Sequence, residues 1–220
     1  MTADPAELLH AQADRLVELG YPALAGLDEA AFRAVVAPLE AALPSALPAA
    51  LPPGPEALPG TATLPFVLVV TRDLVRPEDT VPLLRLAGGT KPGVVDRNHG
   101  QDDLAGYHPL PELEVPAVSA YLLLGVERGE EFCGVKPADA LPVIRGRGRT
   151  PLTIDEGVAV VTHAPRLLEK NRCFMLSGSR RHDRRVPALW ISERAPKLGW
   201  CWDGNPHSWL GVASAAGRAA

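Results

Sequence analysis

Apolar residues recur at helical spacing at the start of the chain, where Leu8, Leu9, Leu16 and Leu19 form one stripe. The ends of that helix are marked by Asp4 as N-cap, Pro5 at the first helical position, Glu7 in capping-box position and Gly20 as the stop. A second helix is predicted from Asp28, with Leu27 and Phe32 at the spacing of a hydrophobic staple. It continues through Val35, Val36 and Leu39, with a kink expected at Pro38. Residues 1–43 therefore read as a helical hairpin.

The periodicity then stops. Residues 44–60 contain PSALPAALPPGPEALP, a text too rich in proline for helix or central strand, and read as a polyproline-like linker or strap. Beyond it, from 61 to 220, short runs of β-branched and aromatic residues alternate with turn residues. LPFVLVVTRD and YLLLGVERG read as strands, and TVPLLRLAGGTKPGVVDRNHG as strand, turn and strand. Thr153 with Glu156 three residues on forms a capping box that opens a helix stopped before Pro165. CFMLSG, VPALWIS, KLGWCW and SWLGVAS then predict an antiparallel meander. The fold class expected is α+β, a helical hairpin and proline-rich strap followed by a mixed strand-rich domain.

Composition narrows the setting. With 220 residues and 46% hydrophobic content, the chain can bury one generous core. The longest apolar runs, 64–70 and 121–126, fall well short of the roughly 20 residues of a spanning helix, so no membrane partner is expected. The N-terminal text starts acidic and lacks the apolar core of a secretory signal. Cys133, Cys173 and Cys201 include no C-x-x-C pair and are expected as reduced thiols, which suits a cytoplasmic location. The net charge of −4 hides a split: residues 1–140 carry 9 Lys and Arg against 20 Asp and Glu, and residues 141–220 carry 13 against 6. An anionic partner for the C-terminal part is the sharper reading of that split; the plainer ones are an acidic half that keeps the protein soluble and a basic half that meets it across a domain surface.

All four tryptophans lie between Trp190 and Trp209, directly after the arginine-rich stretch RCFMLSGSRRHDRR. Arginine forks onto carboxylates and phosphates and stacks on indoles, so the two together build polar-rimmed pockets. SGSRRHDRR adds hydroxyls and a glycine, the inventory of an anion nest, in which Asp183 can hold one arginine in place. The expected ligand site comprises Ser177, Ser179, Arg180, Arg184, Trp200, Trp202, Asn205 and His207. The bland alternative is an aromatic core with a charged hairpin loop. The ligand is expected to be a small anionic molecule or an acidic protein segment. Nucleic acid is disfavoured by the overall negative charge, and no cofactor is expected because no glycine-rich phosphate loop is present.

Two chemical alternatives stand beside this reading. Cys201, Asp203 and His207 supply the residue types of a thiol activated by imidazole. Strand alternation, however, turns Cys201 away from Trp200 and Trp202. Cys173 and Cys201, in runs expected to form neighbouring strands, are the candidate metal ligands, although close ligand pairs are missing.

The segments GRTPLTIDEGVAVVTH, CFMLSGSRRHDRRVPALWIS and PKLGWCWDGNPHSWLG, with the earlier KPGVVD, resemble an uncharacterised domain-of-unknown-function family of high-GC Gram-positive bacteria. The likeness covers most of the chain after the proline linker. It implies a soluble bacterial protein and no particular activity.

Overall fold

The computed structural model describes residues 4–43, 63–99 and 103–220; the proline-rich stretch 44–60 lies outside them. Helix α1 (Pro5–Glu18) begins where the Asp4 carboxylate accepts the Ala6 N–H at 3.0 Å, and Gly20 ends it at φ 86°. Short α2 (Tyr21–Leu24) and α3 (Glu29–Val36) follow, α3 capped by Asp28 on the Ala31 N–H at 2.8 Å. At Pro38 the chain does not simply kink. It tightens into a 3₁₀ helix over Ala37–Ala42, because proline has no N–H for the α-helical ladder.

Next come β1 (Thr63–Val70), α4 (Pro77–Thr80), β2 (Val94–Val95), β3 (His108–Pro109) and β4 (Ala120–Glu127). The expected strand in TVPLL is helical instead. Pro77 opens α4 and Pro82 sits in the 3₁₀ turn Val81–Leu83, so this apolar run turns inward through Val81 and Leu84 rather than pairing. Only β2 of the predicted pair is a strand. The remainder comprises α5 (Pro137–Gly146), β5 (Thr150–Pro151), α6 (Ile154–His163), β6 (Cys173–Met175), β7 (Ser179–Arg180), β8 (Arg185–Ser192), β9 (Ala195–Trp202), β10 (Leu210–Val212), β11 (Ser214–Ala215) and β12 (Gly217–Ala219). The architecture is α+β.

One sheet has the order β1-β4-β11-β5, with β12 also on β4. Its two long antiparallel strands feed two cores. Val67, Val69, Tyr121 and Leu123 face one, and Phe66, Leu68, Ala120 and Leu122 face the other, where they meet Leu9, Leu16 and Phe32 of the N-terminal helices. Helix α6 packs on β1 from the first core and is buried along almost its whole length. Its capping box is intact, Thr153 and Glu156 satisfying one another's backbone N–H.

The second sheet has the order β10-β6-β8-β9-β2. Strands β6, β8 and β9 form the expected antiparallel succession. The last run, SWLGVAS, divides between the sheets: β10 lies parallel to β6, while β11 crosses to pair with β4 and β5. The crossing needs glycine at two points. A Cβ on Gly129, at φ +71°, would stand 2.0 Å from the Val212 carbonyl oxygen, and one on Gly211 would stand 2.3 Å from that of Gly129.

Candidate functional site

The β8–β9 hairpin fixes the geometry of the Arg and Trp residues. Direct pairing of Arg185 with Trp202, Pro187 with Trp200 and Leu189 with Leu198 puts these six side chains on one face. Val186, Cys201, Ala188, Gly199 and Trp190 take the other. Trp200 and Trp202 meet edge to face, with centroids 5.0 Å apart and planes at 72°. The Arg185 guanidinium lies over Trp200 at 4.7 Å, and the Trp200 Nε1–H donates to the Asn98 carbonyl at 3.3 Å. Trp202 remains 46% exposed, an unusual amount for an indole already packed on one edge.

Behind this face, Asp183 anchors two cations. Its Oδ1 accepts the Arg185 backbone N–H at 2.9 Å, while its Oδ2 lies 3.3 Å from Arg185 Nε and 3.6 Å from Arg181 Nε. Arg181 in turn lies over the Tyr107 ring at 5.4 Å, and His99 meets that ring edge-on at 5.7 Å. Both rings are buried. Burial holds His99 neutral, its pKa depressed to about 4, and the nearby Arg185 and Arg181 push the same way. Arg181 and Arg185 belong to the arginine stretch that the sequence marks, but His99 and Tyr107 carry no sequence signal, since the loops that hold them have no motif and lie some eighty residues before the arginines.

Arg180 and Arg184 differ in setting. Arg180 Nη2 pairs with Asp203 Oδ1 at 3.1 Å, and burial lowers its pKa against the opposing pull of Asp203. Arg184 is exposed and makes no ion pair among the described residues. Its Nη2 lies alongside Gly204, 3.0 Å from where a Cβ would stand, and its carbonyl accepts the Asp203 N–H at 2.8 Å. Asn205 is exposed in the same turn, its N–H bonded to the Trp202 carbonyl at 3.0 Å. Arg180, Arg184, Trp200, Trp202 and Asn205 thus gather at one end of the hairpin.

The remaining predicted residues lie elsewhere. Ser177 and Ser179 are both fully buried. Ser179 Oγ accepts the Ile154 N–H at 3.0 Å, which ties the start of α6 to β7, and a Cβ at Gly178 would stand 2.6 Å from the Pro151 oxygen. SGS is therefore a packed joint in which both serines are buried and the Ser179 hydroxyl serves the start of α6. The His207 ring packs on Trp209 at 5.6 Å, and Trp209 meets Trp190 at 6.3 Å in a separate aromatic cluster. Gly199 gives Trp190 its seat, since a Cβ there would stand 1.9 Å from the indole.

Cys201 is buried opposite the indoles, its thiol 3.3 Å from the Met175 sulfur, and burial pushes its pKa up to about 12. Asp203 faces Arg180 and His207 faces Trp209, so among the described residues no hydrogen bond links Cys201, Asp203 and His207. Cys173 and Cys201 do not lie in neighbouring strands, because β8 separates β6 from β9. Cys173 Sγ instead donates to the Glu169 carbonyl at 3.3 Å. Among the described residues no group of three or more His, Cys, Asp or Glu side chains gathers in a way that would hold a metal ion. Nor is any described helix long and apolar enough to cross a membrane.

The chain is thus an α+β protein with a helical layer on one antiparallel sheet and an Arg and Trp cluster at the end of a hairpin in the other, mixed sheet. It belongs to a family of unknown function, DUF5701, whose match spans residues 15–220. Comparison with curated proteins and with solved structures gives no match.

Proposed function

We propose that the protein binds a small anionic ligand with a planar or apolar body at the end of the β8–β9 hairpin. The observations that carry this reading are the half-exposed indole of Trp202 and the exposed Arg184, whose guanidinium lies against Gly204, two residues beyond that indole, and makes no ion pair among the described residues. Arg180 and Arg185 already face Asp203 and Asp183, so they serve as scaffold. Arg184 is the cation left to receive an anion, and the Trp202 ring offers a surface for the ligand's body. The carboxylate of an acidic protein segment would use the same pair. Catalysis through Cys201 finds less support, because a buried, protonated thiol is a poor nucleophile. The three free cysteines fit a reducing, cytoplasmic setting.

Thermal-shift screening against nucleotides, phosphorylated metabolites and dicarboxylates tests this. A ligand at about 100 times its Kd adds roughly 2.7 kcal/mol, or about 5–10 °C for a chain of this size. Arg184→Ala and Trp202→Ala should each abolish the shift; Arg184→Ala should leave the melting temperature of the free protein within about 2 °C, as expected of an exposed side chain, and Trp202→Ala should lower it by about 2–6 °C because its ring also packs on Trp200. Retention of the full shift in both variants would refute the assignment.

A further inference from the structure

At the opposite end of β9, strand β2 and the tip of the β8–β9 hairpin enclose a cleft of about 630 Å³, within the roughly 300–1,000 Å³ of small-molecule sites. Both walls are built. On one side the Gly93 N–H donates to the Leu84 carbonyl at 2.9 Å, and a Cβ at Gly93 would stand 2.2 Å from the Val81 oxygen, so only glycine lets this wall seat. The Asp96 N–H then locks the wall to β9 through the Leu198 carbonyl at 2.8 Å. On the other side the hairpin turns through Glu193 at φ 51° and Arg194 at φ 64°, two successive left-handed residues in a turn that ordinarily takes Asn-Gly. Lys91 Nζ bridges the walls by donating to the Glu193 carbonyl at 3.0 Å. KPGVVD and, about a hundred residues on, the end of PALWIS and the start of PKLGWCW all contribute to this cleft.

Its lining combines charge with an apolar strip. Lys91, Arg97 and Lys197 face two carboxylates, Asp96 and Glu193, leaving one positive charge in excess. Asp96 is committed: it accepts the Asn98 N–H at 2.8 Å and stands 3.4 Å from Lys197. Among the described residues Lys91 is held only by a neutral carbonyl, and Arg97 is exposed and makes no ion pair. Between them Val94 is 46% exposed, its apolar surface uncovered, with Pro92 and Pro196 to either side. We propose that this cleft binds a small aliphatic monocarboxylate, the carboxylate on Arg97 and Lys91 and the chain on Val94. One excess positive charge suits a monoanion, and an aliphatic floor without an aromatic ring suits an alkyl chain. The site is separate from the one at Arg184 and Trp202 and does not depend on it.

The test is titration of the full-length protein with butanoate, pentanoate and hexanoate at constant ionic strength, followed by NMR of the valine methyls and by calorimetry. Affinity should rise about fourfold per methylene that reaches the apolar strip. Hexanamide, which lacks the charge, should bind at least about tenfold more weakly than hexanoate. Arg97→Ala, at an exposed position, should weaken hexanoate by about tenfold, and Val94→Asp should abolish binding, while Arg184→Ala leaves it unchanged. Equal binding of hexanamide, unperturbed Val94 methyls, or loss of binding in Arg184→Ala would each overturn the proposal. The ligand series in the unaltered protein decides the matter even where a variant folds poorly.

Discussion

Glu156 is fully buried, and the perturbation that exposes its importance is loss of its partner, Arg218. Arg218 Nε and Nη2 reach the two carboxylate oxygens at 2.6 and 3.1 Å, the Tyr121 hydroxyl donates at 2.7 Å, and the Thr153 N–H donates at 2.7 Å. Arg218 is itself only 5% exposed and also donates to the Leu113 carbonyl and to Thr150 Oγ1. Arg218→Met would roughly keep the volume and remove the charge, leaving a desolvated carboxylate and three acceptors, the Leu113 and Pro151 carbonyls and Thr150 Oγ1, without this donor. Breaking one side of such a pair costs about 3–5 kcal/mol, which lowers Tm by about 6–20 °C at this chain length. Replacing both partners by apolar residues is far milder, so Glu156→Leu with Arg218→Met should recover at least about 2 kcal/mol relative to the sum of the single variants. Urea unfolding followed by tryptophan fluorescence measures all four proteins. A loss below about 1 kcal/mol for Arg218→Met, or full additivity in the double variant, would refute the reasoning.

Stability should fall as pH drops from 6.5 toward 4, because burial depresses the pKa of His99 to about 4 and of His163 to about 3. In that window the unfolded chain takes up protons that the folded chain does not, so each histidine contributes a slope of up to about 1.4 kcal/mol per pH unit, with the full stability present above pH 6.5. Urea midpoints measured from pH 7.5 to 4.5 report this, and a flat profile would contradict it. Thiol labelling gives the second test. Burial raises the pKa of all three thiols, but Cys133 alone is part-exposed, so Ellman's reagent at pH 8 should modify Cys133, slowly, and leave Cys173 and Cys201 until denaturant is added. Rapid labelling of Cys201 in the native protein would restore the nucleophile hypothesis.

Local chemistry was the legible part of this fold. Asp4, Asp28 and Thr153 cap their helices because an N-cap needs only an acceptor and the next three residues, all adjacent in sequence. Glu156 shows where such reading stops. Its capping role was visible three residues from Thr153, but its burial against Arg218, 62 positions away, follows from the return of β12 to β4. TVPLL misled for the converse reason: an apolar run with prolines fits a buried strand or a pair of tight helical turns, and packing of Val81 and Leu84 decides between them. At the candidate site, the two-residue period correctly set Trp200 and Trp202 apart from Cys201. The serines mark another limit: a nest and a packed joint share the composition Ser-Gly-Ser, and for Ser179 it is the partner, here the Ile154 N–H, that separates them.

Strand β9 joins the two proposed sites, and its middle determines whether they communicate. Pro196 and Lys197 line the cleft at one end, and Trp200 and Trp202 form the indole face at the other. Between them Leu198 is fully buried, and Gly199 leaves only the space that Trp190 fills. Coupling would require β9 to slide or twist against that packing, and close-packed interiors resist continuous deformation. The Trp200 indole also holds the Asn98 carbonyl, which fixes the end of the cleft wall to the same strand. A ligand at either end therefore meets a backbone already held in place, and the ordering entropy lost on binding falls chiefly on the exposed side chains of Arg97 and Arg184. Two preformed, independent sites on one rigid strand are what this packing favours, rather than a switch in which one ligand reshapes the site of the other.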